Sequence, residues 1–113
     1  MRIEPKRGEL WTIAGGGGSL TNKPRPALIL TSDVFSGLDF VTVLLVTTDP
    51  TEGFTRIPVP ADKASGLSEP SMIQAEKIVT LHRRNLRQRC GYVTPTVLAK
   101  VREVTSAYLG FGG

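Results

Sequence analysis

Glycine and proline constrain this chain more than any other residues: twelve glycines and eight prolines are scattered through its 113 positions. Proline lacks a backbone N–H and glycine carries the largest entropy cost on folding, so neither suits the interior of a long helix or a central strand. The chain is therefore cut into short elements. Between the breaks lie apolar runs rich in β-branched residues, which favour strands. Gly8 to Ile13 alternates partly and predicts a first strand. Ala27-Leu28-Ile29-Leu30, within Pro26 to Thr31, predicts a strand buried on both faces, and Phe40 to Val46 predicts a second. Further strands are expected at Phe54 to Val59, Ser71 to Glu76, Ile78 to Leu81 and Cys90 to Val93. Pro58 and Pro60 put the first of these at a sheet edge. A turn or a single helical turn is expected at Asp33 to Gly37, and one helical turn at Arg83 to Leu86.

One long helix stands out at the end. Thr94-Pro95 reads as an N-cap followed by proline in the first helical position. Val97, Val101, Val104 and Tyr108 then share a face, with Leu98, Thr105 and Leu109 beside them, and Gly110 stops the helix. The expected fold class is mainly β with a C-terminal α-helix, the strands forming a small barrel-like sheet on which the helix packs. The length suits one domain, spanning residues 1–113.

Charge and cysteine narrow the function. The formal net charge is +4. A basic surface concentrates polyanions such as RNA, although a plain solvated basic face gives the same number. The one cysteine, Cys90, cannot form an internal disulfide, so no oxidising compartment is implied, and an inert thiol is expected. Met1 to Arg7 contain no apolar signal-peptide core, and no apolar run approaches a membrane span. A cytoplasmic location and no membrane partner are expected.

Several chemistries lack their residues. There is no His/Cys cluster and no HExxH, so no metal site is expected and no cofactor is implied. The glycine tract Gly15 to Gly18 is not followed by the Lys-Ser/Thr of a phosphate-binding loop. His82, the only histidine, rules out a histidine-pair ribonuclease and lacks a nucleophile elbow to serve; a solvent-facing or structural role is expected. What remains is a metal-free pairing. Arg25 ends the long loop Ala14 to Pro24 and opens a buried strand, between Pro24 and Pro26. Thr47 and Thr48 end the next strand. A guanidinium fork matches a phosphate, and a hydroxyl can donate to one of its oxygens. The same residues would equally suit a surface arginine after a loop and two strand-end threonines.

The order of motifs resembles a known family. Arg7-Gly8-Glu9-Leu10-Trp11, a loop into Arg25-Pro26-Ala27-Leu28-Ile29-Leu30, then Val46-Thr47-Thr48, Ser71 to Ile78, Gly91-Tyr92-Val93 and a closing helix together resemble the MazF/PemK toxins of bacterial toxin–antitoxin pairs. The resemblance spans nearly the whole chain. It implies an SH3-like small barrel of the MazF/PemK/CcdB type, a homodimer, and a sequence-specific, metal-independent endoribonuclease that cleaves single-stranded RNA and is neutralised by a cognate antitoxin. It implies Arg25 and Thr47 as the catalytic pair, with Thr48 the adjacent alternative. RNA-binding positions carried over are Gly18, Ser19, Leu20, Thr21, Asn22 and Lys23 in the loop, and Gln74 and Glu76 on a later strand. The chain departs from the family in that loop, which reads Gly18-Ser19-Leu20-Thr21 where many members have Gly-Ser-Glu-Gln, so a loop carboxylate is missing. A gyrase-binding toxin of the same fold, which cuts nothing, is the alternative implied.

Overall fold

The computed structural model describes residues 4–14 and 25–112. Six strands and one helix follow in chain order: β1 (Glu9–Ile13), β2 (Arg25–Ile29), β3 (Phe40–Thr47), β4 (Arg56–Val59), β5 (Ser71–His82), β6 (Leu86–Tyr92) and α1 (Pro95–Leu109). Single 3-10 turns form at Asp33–Phe35, where a turn or a helical turn is expected, and at Arg83–Asn85, where one helical turn is expected.

The strands form one antiparallel sheet in the order β4-β5-β3-β2-β1-β6. Its edges, β4 and β6, do not pair, so the sheet is curved and open rather than a closed barrel. β4 carries Pro58 and lies at an edge, where a missing N–H breaks no inner ladder. The central strands β2 and β3 are buried on both faces, which explains their continuous apolar runs. One face packs Leu10, Leu28, Leu44, Val46, Ile57, Ile73 and Ala75 against Val101 of α1. The other gathers Trp11, Ile13, Ala27, Ile29, Val41, Val43 and Leu86.

Two strands are longer than their periodicity predicts. The stretches Ser71 to Glu76 and Ile78 to Leu81 are one strand, β5, bent in the middle. From Leu44 to Val46 β3 advances two residues while its partner runs five, from Ile78 to Ile73. Such a bulge increases twist and bends the strand. β6 starts at Leu86 rather than near Cys90, because Arg87, Gln88 and Arg89 are exposed edge residues with no alternation to betray them. α1 begins and ends where its caps dictate. The Thr94 hydroxyl accepts from Val97 N at 3.2 Å, and Gly110 closes the helix at φ 80°.

Candidate functional site

Arg25 opens β2, and Ile13 of β1 is its partner. Its neighbour strand runs in the register Ala27↔Leu45, Leu28↔Leu44, Ile29↔Val43. Carried two residues further, that register sets Arg25 across from Thr47. Side chains alternate along a strand, and paired residues share a side. Arg25 therefore lies on the face of Ala27 and Ile29, as Thr47 lies on the face of Val43 and Leu45, the face opposite α1. Arg25 is exposed and Thr47 half-buried at the strand end. Thr48 lies one residue beyond β3 and is exposed. Continued in this way, the register puts Arg25 and Thr47 side by side at one end of the two central strands, the corner where both strands stop.

The Thr47 hydroxyl is held from behind. Its oxygen accepts from Asp49 N at 3.1 Å, which leaves its proton to be donated outward. Asp49 in turn folds the following loop. Its Oδ1 accepts from Thr51 N at 3.0 Å and from the Thr51 hydroxyl at 2.7 Å. Those bonds, the hydroxyl's first, hold the Asp49 carboxyl below its ordinary range, with Arg56 adding its charge. Arg56 Nη1 donates to Asp49 O at 3.4 Å and Thr51 O at 3.3 Å, and lies 3.8 Å from Asp49 Oδ2.

β5 completes the corner. Met72 is paired with Thr47, and Gln74 with Arg56. Alternation along the first half of β5 sets Met72, Gln74 and Glu76 on one side, while Ser71, Ile73 and Ala75 are buried on the other. Gln74 and Glu76 are both half-buried. Burial pushes the Glu76 carboxyl up, but hydrogen bonds from Thr55 and from its own backbone, with Arg56 and Lys77 close by, bring it below its ordinary value. One of its oxygens, Oε1, is buried without a hydrogen-bond partner. Gly18, Ser19, Leu20, Thr21, Asn22 and Lys23 lie outside the described residues.

Arg56 and Phe54 were not among the residues that sequence motifs single out. The signals were present: an arginine at the start of an otherwise apolar strand, and a phenylalanine in a polar, glycine-containing loop. His82 is structural. Its Nδ1 accepts from Arg84 N at 3.1 Å, and its ring packs edge-on against Phe40. Burial raises the Cys90 thiol above its ordinary pKa, which disfavours the reactive thiolate. Among the described residues no group of three or more His, Cys, Asp or Glu is placed to hold a metal ion. A second concavity, about 460 Å³ and lined by Leu30, Leu98 and Thr105 among others, lies beside α1 on the other face.

The family described as PemK-like, MazF-like toxin of type II toxin–antitoxin system matches residues 6–108. The chain belongs to this family. It is 34% identical over 109 residues to the "Probable endoribonuclease MazF" of Mycolicibacterium smegmatis, covering 96% of this chain and 99% of that protein. The Mycobacterium tuberculosis toxin MazF-mt6 superposes with a TM-score of 0.77 at 26% identity, over 90% of this chain and 96% of that one. A Deinococcus radiodurans MazE–MazF structure shares the fold, with a TM-score of 0.78 at 23% identity and coverage of 96% and 99%. Within the MazF-like family, the six-stranded open sheet with one C-terminal helix is the shared architecture.

Proposed function

We propose that this MazF-like chain is a toxin endoribonuclease that cuts single-stranded RNA at the corner where Arg25 faces Thr47. The observation that supports the reading is the β2–β3 register, which, continued two residues beyond Ala27↔Leu45, would set the Arg25 guanidinium across from the strand-end hydroxyl of Thr47. Family membership supports the step from phosphate clamp to ribonuclease. The ribose 2′-OH attacks the adjacent phosphorus, the P–O5′ bond breaks, and the products are a 2′,3′-cyclic phosphate and a 5′-hydroxyl end. Arg25 neutralises charge that builds on the non-bridging oxygens and orients the group. Thr47 donates its free proton to one of them. The role of Arg25 is electrostatic: its rigid fork binds the phosphate oxygens.

The residues that hold the RNA besides the Arg25–Thr47 pair are Gly18 to Lys23, Gln74 and Glu76, as the family resemblance implies. The protein acts in the cytoplasm as a homodimer, and an acidic antitoxin neutralises it. A solved structure of the same fold is an endoribonuclease in complex with its cognate antitoxin from a mycobacterial species, and the net charge of +4 suits an acidic partner. The gyrase-binding alternative is not favoured, because the curated relative is named an endoribonuclease.

The test is to incubate the purified protein with a long single-stranded RNA in EDTA and analyse the ends. Discrete fragments with cyclic phosphate and 5′-hydroxyl ends are expected, and none from RNA carrying a 2′-deoxy sugar at the cut. Intact RNA, or cutting that EDTA abolishes, would contradict the proposal.

A further inference from the structure

Beside the Thr47 end of β3 opens a cleft of about 550 Å³ lined by Glu52, Gly53, Phe54, Arg56, Pro58 and Met72. Met72 is paired with both Thr47 and Pro58, so one of the cleft's lining residues is the strand neighbour of Thr47. Phe54 has a relative exposure of 101%, the highest among the large apolar side chains described. A singly exposed apolar residue is ordinary on a protein surface. This one is not on a loose segment. The loop from Asp49 to Arg56 is stapled by the Thr51–Asp49 bonds, by Arg56 N donating to Gly53 O at 3.1 Å, and by the Arg56 guanidinium on the Asp49 and Thr51 carbonyls. An ordered loop therefore holds a phenyl ring in water at the mouth of a cleft next to the proposed phosphate clamp.

Charge decides what part of an RNA enters. Arg56 is already engaged with Asp49, and Glu52 has no cationic partner among the described residues. The cleft and its immediate support carry two carboxylates against one guanidinium, which repels a phosphate and welcomes an uncharged, amino-bearing ring. Unstacked RNA bases pair their faces with aromatic side chains and their edges with polar groups. A carboxylate accepts from an exocyclic amine and repels a carbonyl oxygen.

We propose that this cleft is a nucleobase subsite next to the scissile phosphate, in which Phe54 stacks on one base and Glu52 selects a base edge with an amino donor. The proposal rests on the reading of Arg25 and Thr47 as the phosphate clamp. It makes Phe54 and Glu52 specificity-determining residues: the base in the cleft is adenine, cytosine or guanine in preference to uracil.

The experiment maps the 5′ ends produced from a random-sequence RNA pool by the wild type, Phe54→Ala, Phe54→Trp and Glu52→Gln. The wild type should show one position near the cut enriched in amino-bearing bases. Phe54→Ala should flatten that position and raise KM by about 5- to 100-fold, the range of one lost stacking partner. Phe54→Trp should restore the preference, and Glu52→Gln should admit uracil. Unchanged profiles in both Phe54→Ala and Glu52→Gln overturn the subsite. Binding of uncleavable 2′-O-methyl oligonucleotides, read by fluorescence anisotropy, tests the cleft without the chemistry. Weaker binding by Phe54→Ala supports it, and equal binding overturns it. If cutting survives Arg25→Ala, the clamp reading fails, while the anisotropy difference still decides on the cleft. Phe54 is wholly exposed, so its replacement should leave the melting temperature unchanged.

Discussion

A single hydroxyl proton separates the two ways of reading Thr47. As a plain strand-end residue it needs only to accept from Asp49 N and cap the turn. As part of a phosphate clamp it must also donate outward. Thr47→Val keeps the shape and removes both bonds, whereas Thr47→Ser keeps both. Cleavage should fall by about 10²- to 10³-fold in the valine variant, the usual cost of one lost oxyanion donor, and recover in the serine variant. Single-turnover rates check this, and equal rates for valine and threonine would remove Thr47 from the chemistry. The acidic side chains make a pH prediction. Asp49 and Glu76 both lie below their ordinary values of 3.8 and 4.5 when folded. The unfolded chain therefore takes up their protons first as pH falls. Their stabilisation is complete above the ordinary carboxylate range and is lost as pH drops through and below it. The loop from Asp49 to Arg56 should loosen below about pH 4, seen as lower amide protection factors there once the intrinsic pH dependence of exchange is divided out, while its order is constant from about pH 6 to 8. Protection factors that stay the same or rise on acidification would contradict these shifts. Arg25 was legible at this scale because it interrupts a pattern, a charge between two prolines at the mouth of an apolar run. Arg56 was not, because what makes it matter is a loop folded back on itself: its carbonyl partners, Asp49 and Thr51, look like ordinary turn residues in the sequence.

Helix α1 was the most legible element, since its signals are all local. Thr94, Pro95 and Gly110 act within one turn of themselves, and Val101 is fully buried on the predicted stripe. Tyr108 and Leu109 lie on the same stripe yet remain about half exposed, because the helix buries its middle turns, at Val101 and Thr105, rather than its ends. Thr94→Ala should cost about 1 kcal/mol and lower the melting temperature by several degrees without changing the cleavage pattern. Thermal unfolding followed by circular dichroism measures it; an unchanged midpoint would show that the cap is not needed. β5 was legible only in halves. Glu76 and Lys77 interrupt its alternation, and nothing local says that the chain continues straight into Ile78 as the same strand. The bulge that joins the halves depends on β3, far away in sequence. The same holds for β6, where exposed edge residues carry no period to read.

At the scale of the molecule, class and strand content were readable, and closure was not. Whether a curved sheet seals into a barrel depends on whether β4 and β6 meet, and no local residue pattern encodes that meeting; here the edges stay apart. The openness has a consequence for the site. Arg25, Thr47, Met72 and Pro58 line up across four neighbouring strands near one end of the sheet, so a single-stranded polymer can cross them in sequence. The basic balance of +4 favours such a polymer at long range, and the guanidinium at the corner makes the contact that matters for chemistry. The most direct measurement is therefore RNA cleavage by Arg25→Ala against the wild type, in EDTA, with folding verified by circular dichroism. Arg25 is exposed at the start of its strand, so the variant should fold normally. The account predicts a folded protein that no longer produces discrete RNA ends. A folded variant that still cuts the same sites at a comparable rate would contradict it.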